Sequence, residues 1–181
     1  MMSRLLCERF AYRCLALLGI AAVLVLFLVP TSAMAADVSA LFQEARTTAT
    51  QLAKDAAIME SYTRSNISWK SHTAQITRVK DHINKAGSIL SQMQSARGDA
   101  QLWHQEAIDE LTPALKAMAT NTESIINHLN ENPNRLKDQT YTQYLKLNSQ
   151  SASELSAAVG NVVDYDKTKT KMEELEVKLG R

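Results

Sequence analysis

The chain has 181 residues, with 20 Lys and Arg against 19 Asp and Glu, so its formal net charge is +1 at neutral pH. This balance gives no electrostatic reason to expect nucleic acid or an anionic membrane surface as a partner. The two cysteines, Cys7 and Cys14, lie near the N-terminus, so the rest of the chain has no disulfide or thiol chemistry.

The N-terminal segment has the three parts of a secretory signal peptide. Three arginines within residues 1–13 precede an uncharged stretch at 14–29. That stretch is short for a membrane-spanning helix, which needs about 20 apolar residues. An Ala-Met-Ala sequence at 33–35 then supplies the small residues that signal peptidase accommodates. We therefore expect cleavage before Ala36 or Asp37.

The predicted mature protein is a single domain at 36–181. Removing residues 1–35 from the 181 leaves 146, which is enough to bury a core. Three of the 20 basic and one of the 19 acidic side chains leave with the signal peptide, so 17 and 18 remain and the net charge is near −1. We expect a periplasmic or secreted protein, exported by the general secretory pathway. Retention of the N-terminal segment as a membrane anchor is the alternative.

Apolar residues recur at spacings of three and four throughout the mature chain, which is the pattern of amphipathic helices. Residues that favour helices fill the positions between them, and nothing in the pattern predicts a sheet. Four helices are predicted, at about 38–65, 68–96, 100–130 and 139–178. Their short connections favour an all-α fold, an up-down-up-down antiparallel four-helix bundle with a long C-terminal helix.

Turn-forming and helix-breaking residues place the boundaries. In Arg97-Gly98-Asp99, we expect Gly98 to adopt the left-handed conformation that closes a helix and Asp99 to cap the next one. Pro113 lies within the third helix, where a missing backbone donor predicts a kink. A cluster of asparagines and a proline at 130–134 ends that helix.

The last predicted helix is longer than the others and has apolar residues near heptad spacing, as in a coiled coil. At about forty residues, it would project about 15 Å past its neighbours unless Gly160 or the polar stretch at 164–171 bends or ends it. Such an overhang is either a surface for a protein partner or for self-association, or a frayed end.

Aromatic residues and histidines collect at the two ends of the predicted bundle. One end receives Tyr62, Trp69, His72, His128, Tyr141 and Tyr144, together with the aliphatic Ile125. The other end receives Phe42, Trp103, His104 and Tyr165.

Two histidines at the first end raise the question of a ligand. Pairing the second and third helices about Gly98 brings His72 within about one helical turn of His128, with Trp69 in the same cluster. These three residues are the candidates for a cofactor-binding site, and Met59 is an alternative haem ligand. The simpler interpretation is that the histidines cap helix ends or are partly exposed.

Signatures of catalysis and of metal binding are missing from the sequence. No histidine has Glu three residues before it, as carboxylate-bridged di-metal bundles require, and Cys-x-x-Cys-His, His-x-x-x-His and Gly-x-Ser-x-Gly are also absent. We therefore predict a non-enzymatic protein without a metal or cofactor, acting as a structural, chaperone-like or partner-binding module of the cell envelope. The alternative is a bundle that binds haem or another small ligand at the histidine end.

Overall fold

The computed structural model describes residues 37–180, and the predicted signal peptide at 1–35 lies outside the described residues. No strand occurs within 37–180, so the all-α prediction is confirmed for this part of the chain. Short 3₁₀ turns follow the first two helices, at Tyr62–Arg64 and Arg97–Asp99. The four α-helices are α1 (Val38–Ser61), α2 (Trp69–Ser95), α3 (Leu102–Glu131) and α4 (Gln139–Lys178).

Side chains fix where the first two helices begin. Asp37 accepts a hydrogen bond from the backbone N–H of Ser39 at 3.0 Å. Ser68 Oγ accepts one from the backbone N–H of Ser71 at 3.3 Å. Each bond satisfies an N–H group that has no partner inside its own helix. The two helices therefore start within one residue of the predicted positions.

Each helix packs against two others: α1 contacts α2, α2 contacts α3, α3 contacts α4, and α4 returns to α1. Cross-helix bonds give the relative direction of α1 and α2. Glu44, early in α1, pairs with Lys85 at 3.2 Å, whereas the backbone carbonyl of Asp55, late in α1, accepts from Gln75 at 2.9 Å. The arrangement is compatible with the predicted antiparallel bundle.

The core is built from one apolar stripe on each helix. Phe42 and Leu52 of α1 and Ile108 of α3 are fully buried. Burial of such side chains stabilises the fold by about 25 cal/mol per Å² of apolar surface. Ala49 of α1 and Ala152 of α4 are also buried in this core.

A polar contact inside this core joins α3 to α4. Thr122 Oγ1 donates to Asn148 Oδ1 at 3.1 Å, and both side chains are buried. Asn121 donates from Nδ2 to the same oxygen at 3.4 Å and to the backbone carbonyl of Tyr144 at 3.0 Å. Because buried polar atoms must be satisfied, these bonds fix the register of α3 against α4.

The turn between α2 and α3 differs from the prediction. Gly98 lies in a 3₁₀ turn and does not adopt a positive φ, and Gly180 is the described glycine that does. Asp99 does not cap α3, because Gln101 occupies the N-cap position without a side-chain capping bond. A right-handed 3₁₀ turn reverses the chain without a left-handed residue, so α3 begins at Leu102, two residues later than predicted.

Helix α4 is continuous. It passes through Gly160 and through the polar stretch at 164–171 without interruption. All residues at 171–180 are exposed. We call residues 171–180 the C-terminal extension, since they comprise the last turns of α4 and the two residues after it, beyond the buried part of the bundle.

Candidate functional site

The predicted histidine end assembles as a compact cluster beside two loops, at 65–68 and 132–138. His72 is 1% exposed, and its Nδ1 lies 2.7 Å from the hydroxyl oxygen of Tyr141. The ring of Tyr62 meets that of His72 edge-on, with centroids 5.2 Å apart. His128 stacks on Tyr141 at 4.8 Å. The structure therefore brings the two predicted histidines together, with Tyr141 in contact with both.

Burial shifts the pKa values of His72 and Tyr141. Loss of hydration lowers the pKa of His72, because the imidazolium form is penalised in the interior. The same cause raises the pKa of Tyr141. At neutral pH the phenol therefore keeps its proton, and a buried hydroxyl requires an acceptor. We assign donation from Tyr141 to Nδ1 of His72, which leaves the ring hydrogen of His72 on Nε2.

The other two candidate residues, Trp69 and His128, form hydrogen bonds near the C-terminal end of α3. Trp69 Nε1 donates to the backbone carbonyl of Leu129 at 3.0 Å, and the indole is 38% exposed. His128 lies in the last turn of α3, with Nε2 3.2 Å from the carbonyl oxygen of Arg135. Trp69 therefore caps a carbonyl at the end of α3, whereas half-buried His128 bonds to a loop carbonyl and does not cap the helix. For His72 the end-capping interpretation is also wrong, because its partner is the buried hydroxyl of Tyr141.

A cleft of about 570 Å³ opens beside His72, between the two loops. Lys137 Nζ donates to Asn66 Oδ1 at 2.6 Å and so joins one loop to the other. The volume lies within the range of small-molecule sites, about 300–1,000 Å³. The cleft is lined by Tyr62, Ser65, Asn66, Ile67, His72, Asn134, Arg135, Leu136, Lys137 and Asp138. Sequence reasoning missed the cleft, because loop residues 134–138 have no periodic pattern that places them near His72.

The second predicted cluster forms at the opposite end of the bundle. His104 is 5% exposed and lies near two rings, with its centroid 5.3 Å from Phe42 and 3.6 Å from Trp103. Tyr165 packs edge-on to Trp103. His104 Nε2 is buried and has no hydrogen-bond partner among residues 37–180, although the Asp166 carboxylate is 3.9 Å away. Burial lowers the pKa of His104, and the charge of Asp166 opposes that shift.

The three residues considered as haem ligands already make contacts within the protein. His72 commits Nδ1 to Tyr141, and His128 places Nε2 beside a backbone carbonyl. Met59, the third residue considered as a ligand, is 2% exposed within the apolar core. Within the described part of the chain, no group of three or more His, Cys, Asp or Glu side chains is placed to hold a metal ion.

The C-terminal extension presents a second candidate surface. Met172, Leu175 and Leu179 are 57%, 47% and 72% exposed. Their spacing of three and four residues puts them on one face of α4, and Tyr165 lies on the same face two turns earlier. The sequence pattern predicted both an overhang and an apolar row near heptad spacing, and the structure adds that the part of this row at 172–179 is exposed.

Comparisons with known protein families, curated proteins and solved structures found no match to this chain. Between residues 37 and 180, no helix combines the length and apolarity needed to cross a membrane. The candidate functional surfaces of residues 37–180 are the cleft beside His72 and the apolar face of α4.

Proposed function

We propose that this protein is an exported, non-enzymatic module of the cell envelope that associates with a second copy of itself through α4. The observation that carries the proposal is the exposed apolar face of the C-terminal extension, formed by Met172, Leu175 and Leu179. Exposed apolar side chains in a continuous row are typical of interaction surfaces. A helix with such a row is covered most simply by the same face of an identical helix.

The heptad pattern of α4 specifies how two copies would pair. Tyr165, Met172 and Leu179 recur every seven residues, and Thr168 and Leu175 occupy the positions between them, of which Leu175 is apolar. These are the a and d positions of a two-stranded coiled coil. The proposed interface therefore runs over about two heptads, from the end of the bundle into the extension.

Charges beside this face favour the parallel orientation. In the heptad of α4, Lys171 occupies a g position and Glu176 an e position. In a parallel pair, Lys171 of each copy therefore lies opposite Glu176 of the other copy, which gives two attractive contacts. An antiparallel pair would instead place Lys171 opposite Lys178 of the second copy, which is repulsive. Lys171 and Glu176 are both exposed, and neither forms an ion pair within the described residues. Both are therefore free to pair between copies.

The association is tested by light scattering of the mature protein over a concentration series. Met172→Glu places a charge at the centre of the proposed interface and is expected to leave the protein monomeric. Val177→Glu is the matched control, because Val177 is 77% exposed on the other side of the same helix. If the unmodified protein is monomeric at every concentration, self-association is refuted.

A charge exchange tests the orientation. Lys171→Glu would set two acidic residues against each other in a parallel pair and weaken it, and addition of Glu176→Lys would restore the attraction. In an antiparallel pair, Lys171→Glu would meet Lys178 of the second copy and strengthen association. A stronger dimer for the single variant would therefore contradict parallel pairing.

Export is supported by the start of the fold. Asp37 caps α1, so cleavage before Ala36 or Asp37 would leave the capping side chain on the mature chain. Intact mass measurement on protein from the host envelope tests this point. A chain beginning at Ala36 or Asp37 is expected, and a full-length mass would show that residues 1–35 are retained.

A second candidate function is the binding of a small ligand at the histidine end. The cleft of about 570 Å³ beside buried His72 favours it. Haem is the less suitable ligand, since donation from Tyr141 to Nδ1 leaves the ring hydrogen of His72 on Nε2, and Nε2 of His128 lies beside the carbonyl oxygen of Arg135. An absorption spectrum of protein from its host tests the haem version, and a Soret band would revive it.

A further inference from the structure

We infer that the cleft beside His72 binds a small organic anion, whose carboxylate or phosphate oxygens accept hydrogen bonds from His72, Arg135 and Lys137. The inference rests on the second candidate function and is independent of self-association through α4. It names the chemical class of ligand that the cleft would take. Three features carry it: the orientation of the imidazole, the balance of charge, and the connection between the two loops.

The first feature is the ring of His72. It lines the cleft and is 1% exposed, so water reaches little of it. Nδ1 is occupied by the hydroxyl of Tyr141 at 2.7 Å, and Nε2 has no partner among residues 37–180. With Tyr141 as donor to Nδ1, Nε2–H is the ring donor left for a group bound in the cleft that His72 lines.

The second feature is the charge of the cleft lining. Arg135 and Lys137 contribute two positive charges and Asp138 one negative charge, so the lining is +1 with His72 neutral. An arginine guanidinium matches a carboxylate or phosphate with two parallel hydrogen bonds. A ligand with an anionic group is therefore favoured over a neutral or cationic one.

The third feature is the bond between loops. Lys137 Nζ donates to Asn66 Oδ1 at 2.6 Å, which connects the loop after α1 to the loop before α4 across the cleft. Both cationic side chains lie in the segment at 132–138, and His72 comes from α2. The donors thus approach a ligand from two different elements, as in sites that fix the orientation of a bound group.

The inference is tested by titrating the mature protein with succinate and with inorganic phosphate, and by following the His72 ring nitrogens by NMR. Binding is expected to shift the Nε2 resonance. Arg135→Gln is expected to weaken binding about tenfold, the loss of one charge-assisted contact. Lys116→Gln makes the same change of charge on an exposed side chain of α3 outside the cleft and is the control. Because Arg135 is exposed, its replacement leaves the core intact.

Each outcome has a distinct meaning. Binding of succinate, phosphate or both, weakened in Arg135→Gln and unchanged in Lys116→Gln, supports the inference, and the stronger probe identifies the preferred anionic group. If the neutral analogue succinamide binds as tightly as succinate, the cleft is a ligand site but the anion inference is wrong. If none of the three probes shifts the resonance of His72, the anion inference and the ligand-binding function both fail.

Discussion

The Nδ1 atom of His72 and the hydroxyl oxygen of Tyr141 lie 2.7 Å apart, and this bond joins α2 to α4. These two helices are not neighbours in the packing order, which runs from α1 to α4 and back to α1. The bond therefore crosses the diagonal of the bundle at one end. Since both side chains are at most 1% exposed, neither atom can exchange its partner for bulk water.

Tyr141→Phe is expected to destabilise the protein by about 1–3 kcal/mol, because it leaves Nδ1 of His72 buried without a partner. Tyr144→Phe removes the same hydroxyl from a half-buried position one turn away on α4 and is the control, with an expected loss below about 0.5 kcal/mol. Urea unfolding of both variants measures the difference. If Tyr141→Phe and Tyr144→Phe lower the unfolding free energy equally, the buried bond between His72 and Tyr141 makes no specific contribution to stability.

The contact between Thr122 and Asn148 is suited to a double-mutant cycle. Asn148→Leu alone leaves the hydroxyl of Thr122 without its acceptor and should cost about 1–3 kcal/mol. Thr122→Val alone removes the donor and should cost about 1 kcal/mol. The double variant replaces both partners by apolar groups, so we expect it to be more stable than the sum of the single losses predicts. Strict additivity of the unfolding free energies would mean that the two residues are not coupled.

Acid sensitivity is expected from His104. Its pKa in the folded protein is below the ordinary value of 6.5, so below that pH the unfolded chain binds more protons than the native one. Stability should therefore fall as the pH drops below about 6.5, and the loss should level off below the native pKa. Asp166 and Asp37 reduce this shift, and Lys169 adds to it.

His104→Phe keeps a ring beside Phe42 and Trp103 but cannot take up a proton. We expect its unfolding free energy to change less between pH 7 and pH 5 than that of the unmodified protein. At pH 8 the imidazole is neutral, so the difference in unfolding free energy between His104→Phe and the unmodified protein reports packing alone. This difference serves as the reference. An unchanged pH dependence would assign the acid sensitivity to other groups, of which buried His72 is the first candidate.

Two leucines on α4 provide a matched test of the extension. Leu155 is 7% exposed in the core, and Leu175 is 47% exposed beyond it. Leu155→Ala should cost about 2–5 kcal/mol, because it removes buried surface and leaves a cavity. Leu175→Ala should change stability of the monomer by less than about 0.5 kcal/mol. If Leu175→Ala lowers the unfolding free energy strongly at low protein concentration, the extension packs against the rest of its own chain.

Much of the fold follows from local periodicity. The four predicted helices correspond to the observed ones within a few residues, because apolar spacing and capping act over one or two turns. The turn at Gly98 was predicted wrongly, since a 3₁₀ turn and a left-handed glycine suit the same short sequence. Composition alone does not distinguish these two backbone paths.

The candidate site was only partly predictable. The positions of His72 and His128 relative to each other follow from the pairing of α2 with α3, and the structure brings them together. The bond to Tyr141 depends on a third helix across the bundle, and the approach of Arg135 to the cleft depends on the path of a loop. Such contacts between distant segments leave no periodic signal in the sequence.

The two tryptophans of the chain lie at opposite ends of the bundle, Trp69 bonded to the carbonyl of Leu129 at the histidine end and Trp103 against His104. Each indole is therefore a built-in fluorescent reporter of one end. With either one replaced by phenylalanine, the emission of the other would reveal whether ligand occupancy, acid or dimerisation loosens its own end first. Whether the two ends open together or separately can thus be followed in solution without attaching a dye.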